Sequence, residues 1–273
     1  MNGCRLGGCK LFLDGSPQGK TAWLSTPYLV PPEGEGADYC GFPVQREEAV
    51  QAQMERCLRN RWQLHVHANG DAAIEQMIRC YGRAMETTGV DEELRPVIIH
   101  CQTVREDQLD RMHQLGLLPS YFLDHVYYWG DYHRTSVLGE ERAARISPLA
   151  STVRRGMRFT LHQDSPVVPP DILLSIHNAV NRRTAGGHLL GAEQRIDVGE
   201  ALRAVTLYAA YQLFEEDQKG SIMPGKRADF VLLDRNPLAC SPEDIRHVRV
   251  KKTIRAGTVI YEAGNSPEKE SRT

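Results

Sequence analysis

Residues 62–80, WQLHVHANGDAAIEQMIRC, change periodicity within three residues, and few backbones satisfy both patterns. Trp62, Leu64 and Val66 fall on one side of a period-two strand and Gln63, His65 and His67 on the other, so the strand has one apolar and one polar face. Asn69-Gly70-Asp71 supplies a turn and a helix cap, after which Ala72, Ala73, Ile74, Met77 and Ile78 continue at helical spacing. A strand that ends in imidazole and passes at once into a helix is how a β/α barrel presents metal ligands at the carboxyl ends of its strands.

The same beat recurs along the chain. CKLFLDGSPQGKTAW opens with Cys9, Leu11 and Leu13 facing one way and Lys10, Phe12 and Asp14 the other. The Pro- and Gly-rich STPYLVPPEGEGADYCGFP predicts a long loop of the kind that covers a site, and residues 45–61 are helical in pattern. PVIIHC, 96–101, is an apolar run ending in His100, with a helix predicted over 104–115 and a short strand over 116–121. YFLDHVYYWGDYHRT then predicts an aromatic loop carrying His125 and His133, either a substrate-pocket wall or a packed surface segment. A helix over 148–155 precedes MRFTLHQDSPV, a strand that ends in Asp164 and is stopped by Pro166. Strands alternating with helices at this spacing indicate βαβ units and a parallel sheet. After Gln218 the pattern becomes short β-branched runs between Gly, Pro and Asp turns. The expected division is residues 1–217 as a partial barrel, 218–264 as a β segment, and 265–273 as a polar, disordered tail.

Composition narrows the function classes. A chain of 273 residues with net charge -2 and no Lys/Arg run lacks the concentrated basic surface that nucleic acid or an anionic membrane demands, so a small-molecule substrate is expected. MNGCRLGGCK has no signal-peptide core, and no stretch approaches the roughly 20 apolar residues of a membrane span, which predicts a cytoplasmic protein. Seven scattered cysteines without a CxxC pair read as reduced thiols.

Lys10, His67, His100 and Asp164 collect at the carboxyl ends of the inferred strands. In a parallel barrel those ends converge, so ligands distant in sequence can share a metal, and a metal with a free position lowers the pKa of bound water to about 7. An adjacent aspartate can carry the proton. Each histidine could equally be an ordinary hydrogen-bonded strand-end residue, and Lys10 an exposed structural lysine, because an ammonium repels a cation. His65 lies one layer deeper, His162 is ambiguous beside Asp164, and His113, His177, His188 and His247 look incidental. GSPQGKT has a phosphate-loop look, but Asp14 stands where the motif requires glycine.

KLFLDGSPQGKTAWL, LHVHANGDAAI, VIIHCQ, TLHQDSPV and KGSIMPGKRADFVLLD, in that order, resemble the signatures of the metal-dependent amidohydrolase superfamily, specifically amidohydrolase family 3, the YtcJ-like hydrolases. The similarity runs from about Gly8 to Gly264. It implies an α/β fold, a (β/α)8 TIM-type barrel with a small β-sandwich, and hydrolysis of amide-type C–N bonds at one or two divalent metals, zinc foremost. Carried over by position, Lys10 matches a lysine that can be carboxylated to a carbamate, His67 and His100 match ligands from the fifth and sixth strands, and Asp164 matches the ligand and proton shuttle after the eighth. His162-Gln163 replaces the small pair usual before that aspartate.

Members of the family begin with a sandwich segment and a first barrel strand ending in HxH, and neither has a counterpart before Lys10. The expectation is therefore an incomplete barrel, about strands 4–8, with the carboxyl-terminal part of the sandwich. Its unpaired edges predict self-association, either as a homo-oligomer or with an amino-terminal half. Two readings stand: a metal-dependent hydrolase using metal-activated water, or an inactive remnant or complementing half.

Overall fold

The computed structural model describes residues 6–264. Five parallel strands form one sheet in the order β1 (Cys9–Phe12), β2 (Leu64–Ala68), β3 (Val97–His100), β4 (Leu118–Tyr121) and β5 (Thr160–Leu161). Spatial order follows chain order, and the register steps regularly, with Phe12 opposite His67, Ala68 opposite His100 and His100 opposite Tyr121. Each connection returns through helix, as parallel pairing requires. α1 (Glu47–Arg59) and α2 (Asp71–Thr88) precede and follow β2, and α3 (Glu106–Gln114) follows β3.

The alternation in β2 explains its placement. Leu64, Val66 and Ala68 are buried, while His65 and His67 remain partly accessible on the inner face. Val50, Met54 and Leu58 of α1 and Ile74, Met77 and Ile78 of α2 complete the outer core layer. Full burial of each such side chain contributes about 1.5–3 kcal/mol.

The segment predicted as an aromatic loop is helical: α4 (His125–Tyr132) runs directly into a π-helical turn over His133–Val137. One face packs inward, with Phe122 and His125 almost fully buried and His133 completely so, while Tyr128 and Tyr132 on the other face stay exposed. Aromatic residues carry weak helix propensity, and tertiary packing overrides it here. Gly130 shows how close that packing is, since a β-carbon there would lie 2.5 Å from Cγ2 of Thr184. α5 (Glu140–Ala144) and α6 (Leu149–Arg154) lead into β5, and α7 (Ile172–Asn181), α8 (Val198–Val205) and α9 (Leu207–Gln212) complete the helices.

Beyond them a separate antiparallel sheet, β6 (Phe230–Leu233), β7 (Val250–Arg255) and β8 (Thr258–Glu262), forms the sandwich part. The whole is an incomplete TIM-type barrel with a small β segment. The expected tail, 265–273, lies outside the described residues. No helix among the described residues is long and apolar enough to cross a membrane. The GSPQGKT loop closes on itself, with Thr21 N–H donating to Ser16 O at 3.0 Å and Ser16 N–H to Thr21 Oγ1 at 3.0 Å, so these amides are not turned toward a phosphate.

Candidate metal centre

The carboxyl-terminal rim of the parallel sheet carries a chain of three imidazoles. His67 Nδ1 lies 3.1 Å from His100 Nε2, and His100 Nδ1 lies 3.2 Å from His162 Nε2. At one end His67 Nε2 meets the Gly15 carbonyl at 2.9 Å, and at the other His162 Nδ1 meets Ser120 Oγ at 3.1 Å. Ligand atoms of His100, His162 and Asp164 all lie within 4.8 Å of one another. Zinc bonds of 2.0–2.1 Å in a tetrahedron set neighbouring donors roughly 3.3 Å apart, so the imidazole spacings suit a shared ion.

Local backbone geometry aims these groups. His100 and Asp164 adopt left-handed conformations, with φ of 75° and 50°. That region is unfavourable for most residues with a β-carbon, and such strain tends to persist where function depends on it. β5 ends at Leu161, but His162 N–H still bonds Tyr121 O at 3.0 Å, so His162 extends the strand before the chain turns.

Electrostatics keeps the nitrogens uncharged. Burial lowers the His67 pKa, and burial with the neighbouring His162 and His67 drives His100 far below the ordinary imidazole range. Burial, with Lys10 and His67 nearby, pushes His162 down to about 3. Neutral imidazole is the metal-binding form. Lys10, on the same face of β1 as Phe12, lies 5.0 Å over that ring, and desolvation lowers its pKa against the opposing pull of Asp164.

The structure thus brings His67, His100 and Asp164 to one rim, with Lys10 close enough to act electrostatically on them. His65 instead faces the Gly7 carbonyl at 3.2 Å. Two contributors were not singled out by sequence reasoning. His162 joins the cluster, for which its position two residues before Asp164 was the only signal. Asp14 is the other: it accepts from the backbone N–H groups of Asn69 (2.9 Å), Gly70 (2.7 Å) and Trp23 (3.0 Å) and stands 3.6 Å from His67 Nε2. It holds the turn predicted at Asn69-Gly70-Asp71 from outside the helix, Gly70 at the start of α2 supplies no side-chain cap, and the Asp71 carboxylate accepts from Ser25 N–H at 2.9 Å and Arg105 at 2.8 Å. Burial pushes the Asp14 carboxyl up to about 7 despite those three donors.

Phe122 backs the cluster, with ring centroids 5.5 Å from His162 and 4.7 Å from His125. Behind it His125 Nδ1 and His133 Nε2 are 3.0 Å apart. A cavity of about 370 Å³ between the loops after β1 and β3 and the α5 region is lined by Ser25, Asp71, Arg105 and Arg142, but by none of the clustered imidazoles.

A parallel sheet with a His/His/Asp cluster on its carboxyl-terminal rim is the frame of the metal-dependent hydrolases built on TIM-type barrels. The chain belongs to the Amidohydrolase family, whose profile matches residues 2–261. It is 26% identical over 262 residues to YtcJ of Bacillus subtilis (strain 168), covering 94% of this chain and 47% of that protein. It is 28% identical over 206 residues to the N-substituted formamide deformylase of Arthrobacter pascens, covering 74% of this chain and 37% of the relative. Among solved structures, an uncharacterized metal-dependent hydrolase from Pyrococcus furiosus superposes with a TM-score of 0.71 at 31% identity, over 86% of this chain and 45% of that one. The chain spans about half or less of the length of these relatives.

Proposed function

We propose that this protein is a metal-dependent hydrolase of amide-type C–N bonds in small molecules. The contact chain His67–His100–His162, joined by Asp164, carries the reading, and family membership supports it. The bond class is suggested by the formamide deformylase among the relatives.

His67, His100 and Asp164, with Lys10 as a carbamate, are the groups proposed to hold a divalent ion, and zinc suits nitrogen and carboxylate donors. Such an ion supplies a polarised carbonyl and a water acidic enough to react near neutral pH. Lys10 favours carbamate formation because desolvation raises its share of free amine, which adds CO2 and releases one proton. Exposed Asp164 can accept the proton of the attacking water and deliver it to the leaving nitrogen as the C–O bond forms and the C–N bond breaks. Asp14 fixes the turn that carries His67.

The test is metal analysis followed by turnover assays on N-substituted formamides and simple amides. About one zinc, manganese or iron per chain, with hydrolysis abolished by chelation and restored by metal, is the expected result. A purified chain that takes up none of these ions ends the proposal.

A second reading follows from the open sheet. Among the described residues no strand pairs with the outer edges of β1 or β5, and both faces of the small sheet expose apolar groups, including Val231, Leu232, Ile260 and Tyr261. A complementing chain or a second copy would cover them. Co-expression with the amino-terminal half of a relative tests this, with a gain in metal-dependent hydrolysis expected.

A further inference from the structure

We propose that the cavity between the loops after β1 and β3 and the α5 region binds a small organic monocarboxylate, with Arg142 and Arg145 recognising the anion. This is a site apart from the metal centre, because none of the residues proposed to hold the ion lines it.

Three guanidinium groups, those of Arg105, Arg142 and Arg145, reach a cavity that offers two carboxylates, Asp71 and Glu106. Both carboxylates are taken. Asp71 accepts from Ser25 N–H at 2.9 Å, from the Ser25 hydroxyl and from Arg105 at 2.8 Å. Glu106 accepts from Ser151 Oγ at 2.6 Å, from Arg155 at 2.6 Å and from Arg145. Arg105 is matched again outside the cavity, since Asp107 accepts from its Nε and Nη2 at 3.0 Å.

Arg142 is the exception. Its Nε, Nη1 and Nη2 donate to the carbonyls of Leu138 (2.8 Å), Thr26 (3.1 Å) and Pro27 (2.7 Å), and among the described residues no carboxylate oxygen lies within 4.0 Å of it. Neutral carbonyls fix the direction of the group but leave its charge uncompensated, and each η nitrogen keeps a second N–H. Burial accordingly lowers its pKa. Arg145 commits only Nη2, to Glu106, so it too has donors to spare.

The surplus in the lining is one positive charge, which selects a monoanion. A phosphate dianion would meet Asp71 and Glu106 with more charge than that surplus offsets. Planar guanidinium matches planar carboxylate, and Leu24, Val104 and Leu138 provide an apolar wall for a hydrocarbon body. A volume of about 370 Å³ suits a compact ligand.

The test is calorimetric titration of the full chain with sodium benzoate, with benzamide and inorganic phosphate as the uncharged and dianionic comparisons. Benzoate should bind saturably and at least about tenfold more tightly than either, in keeping with a charge-assisted hydrogen bond. Arg142→Gln should weaken it by a similar factor. Thr26→Trp fills the cavity from an exposed lining position and leaves the arginines in place, so it should also abolish binding while keeping the urea midpoint of the unaltered chain. Nuclear Overhauser contacts from the ring protons to methyl groups of Leu24, Val104 and Leu138 should locate the ligand.

No saturable binding of benzoate, binding that survives either substitution, or benzamide or phosphate bound as tightly, overturns the assignment. Metal uptake and hydrolysis do not enter these readings, so the hydrolase proposal stands or falls separately.

Discussion

At position 70 a single β-carbon is too much. It would stand 1.8 Å from the Trp23 carbonyl oxygen, because the loop after β1 lies directly on the turn that opens α2. Gly70→Ala should therefore cost about 1–3 kcal/mol in chemical denaturation and weaken metal uptake, since the displaced turn follows His67. Arg182 is a second fixed point. It is completely buried and donates to Leu190 O at 2.7 Å, Ile146 O at 2.8 Å and Ser147 O at 3.1 Å. Arg182→Met strips those carbonyls of their donor, and a loss of about 3 kcal/mol is expected in urea unfolding. Legibility differed from residue to residue. The rim positions of His67 and His100 could be read because each lies at or next to the end of a strand ahead of a helix. The role of Asp14 could not, because its amide partners sit 9 to 56 positions away and meet it only through the fold.

Among the elements, α4 departs most from expectation. Its sequence offers no free cap, since Asp124 accepts from Ser175 Oγ at 2.9 Å and Asn178 Nδ2 at 2.8 Å instead. Packing on one face, through His125, Val126 and Gly130, holds the helix while Tyr128 and Tyr132 stay exposed. The patterned strands were legible because period-two alternation survives burial on one face, whereas β5 keeps two paired residues, with 157–159 irregular before it and 162–164 passing onto the rim after it. Burial of α4 and the turn after it carries a pH signature. His133 is driven down to about 4 by desolvation, and its Nδ1 has no partner. Between the ordinary imidazole value near 6.5 and about 4 the unfolded chain binds a proton that the folded chain refuses, so stability falls as pH drops through that window. The urea midpoint should be lower at pH 4.5 than at pH 7.5, and His133→Asn should flatten that dependence.

The whole molecule is an open parallel sheet, with Phe12, Val167 and Leu29 among its exposed apolar groups. An uncovered edge with apolar neighbours is a template for pairing, so light scattering behind size-exclusion chromatography should find species heavier than one chain, increasing with concentration. A monomer stable at high concentration would count against this. The architecture was legible because strand–helix alternation dictates a parallel sheet and the β-branched runs after Gln218 dictate a separate one.

Because β1 has a neighbouring strand on one side only among the described residues, its amides divide into two sets. Cys9 N–H and Leu13 N–H donate to the Gln63 and His67 carbonyls of the adjoining chain segment, which in a parallel ladder turns those of Lys10 and Phe12 outward. Deuterium should therefore enter Lys10 and Phe12 early and Leu13 late. Slowing confined to the early pair would be the footprint of any chain that docks there, registered within bonding distance of the lysine that the proposed chemistry needs.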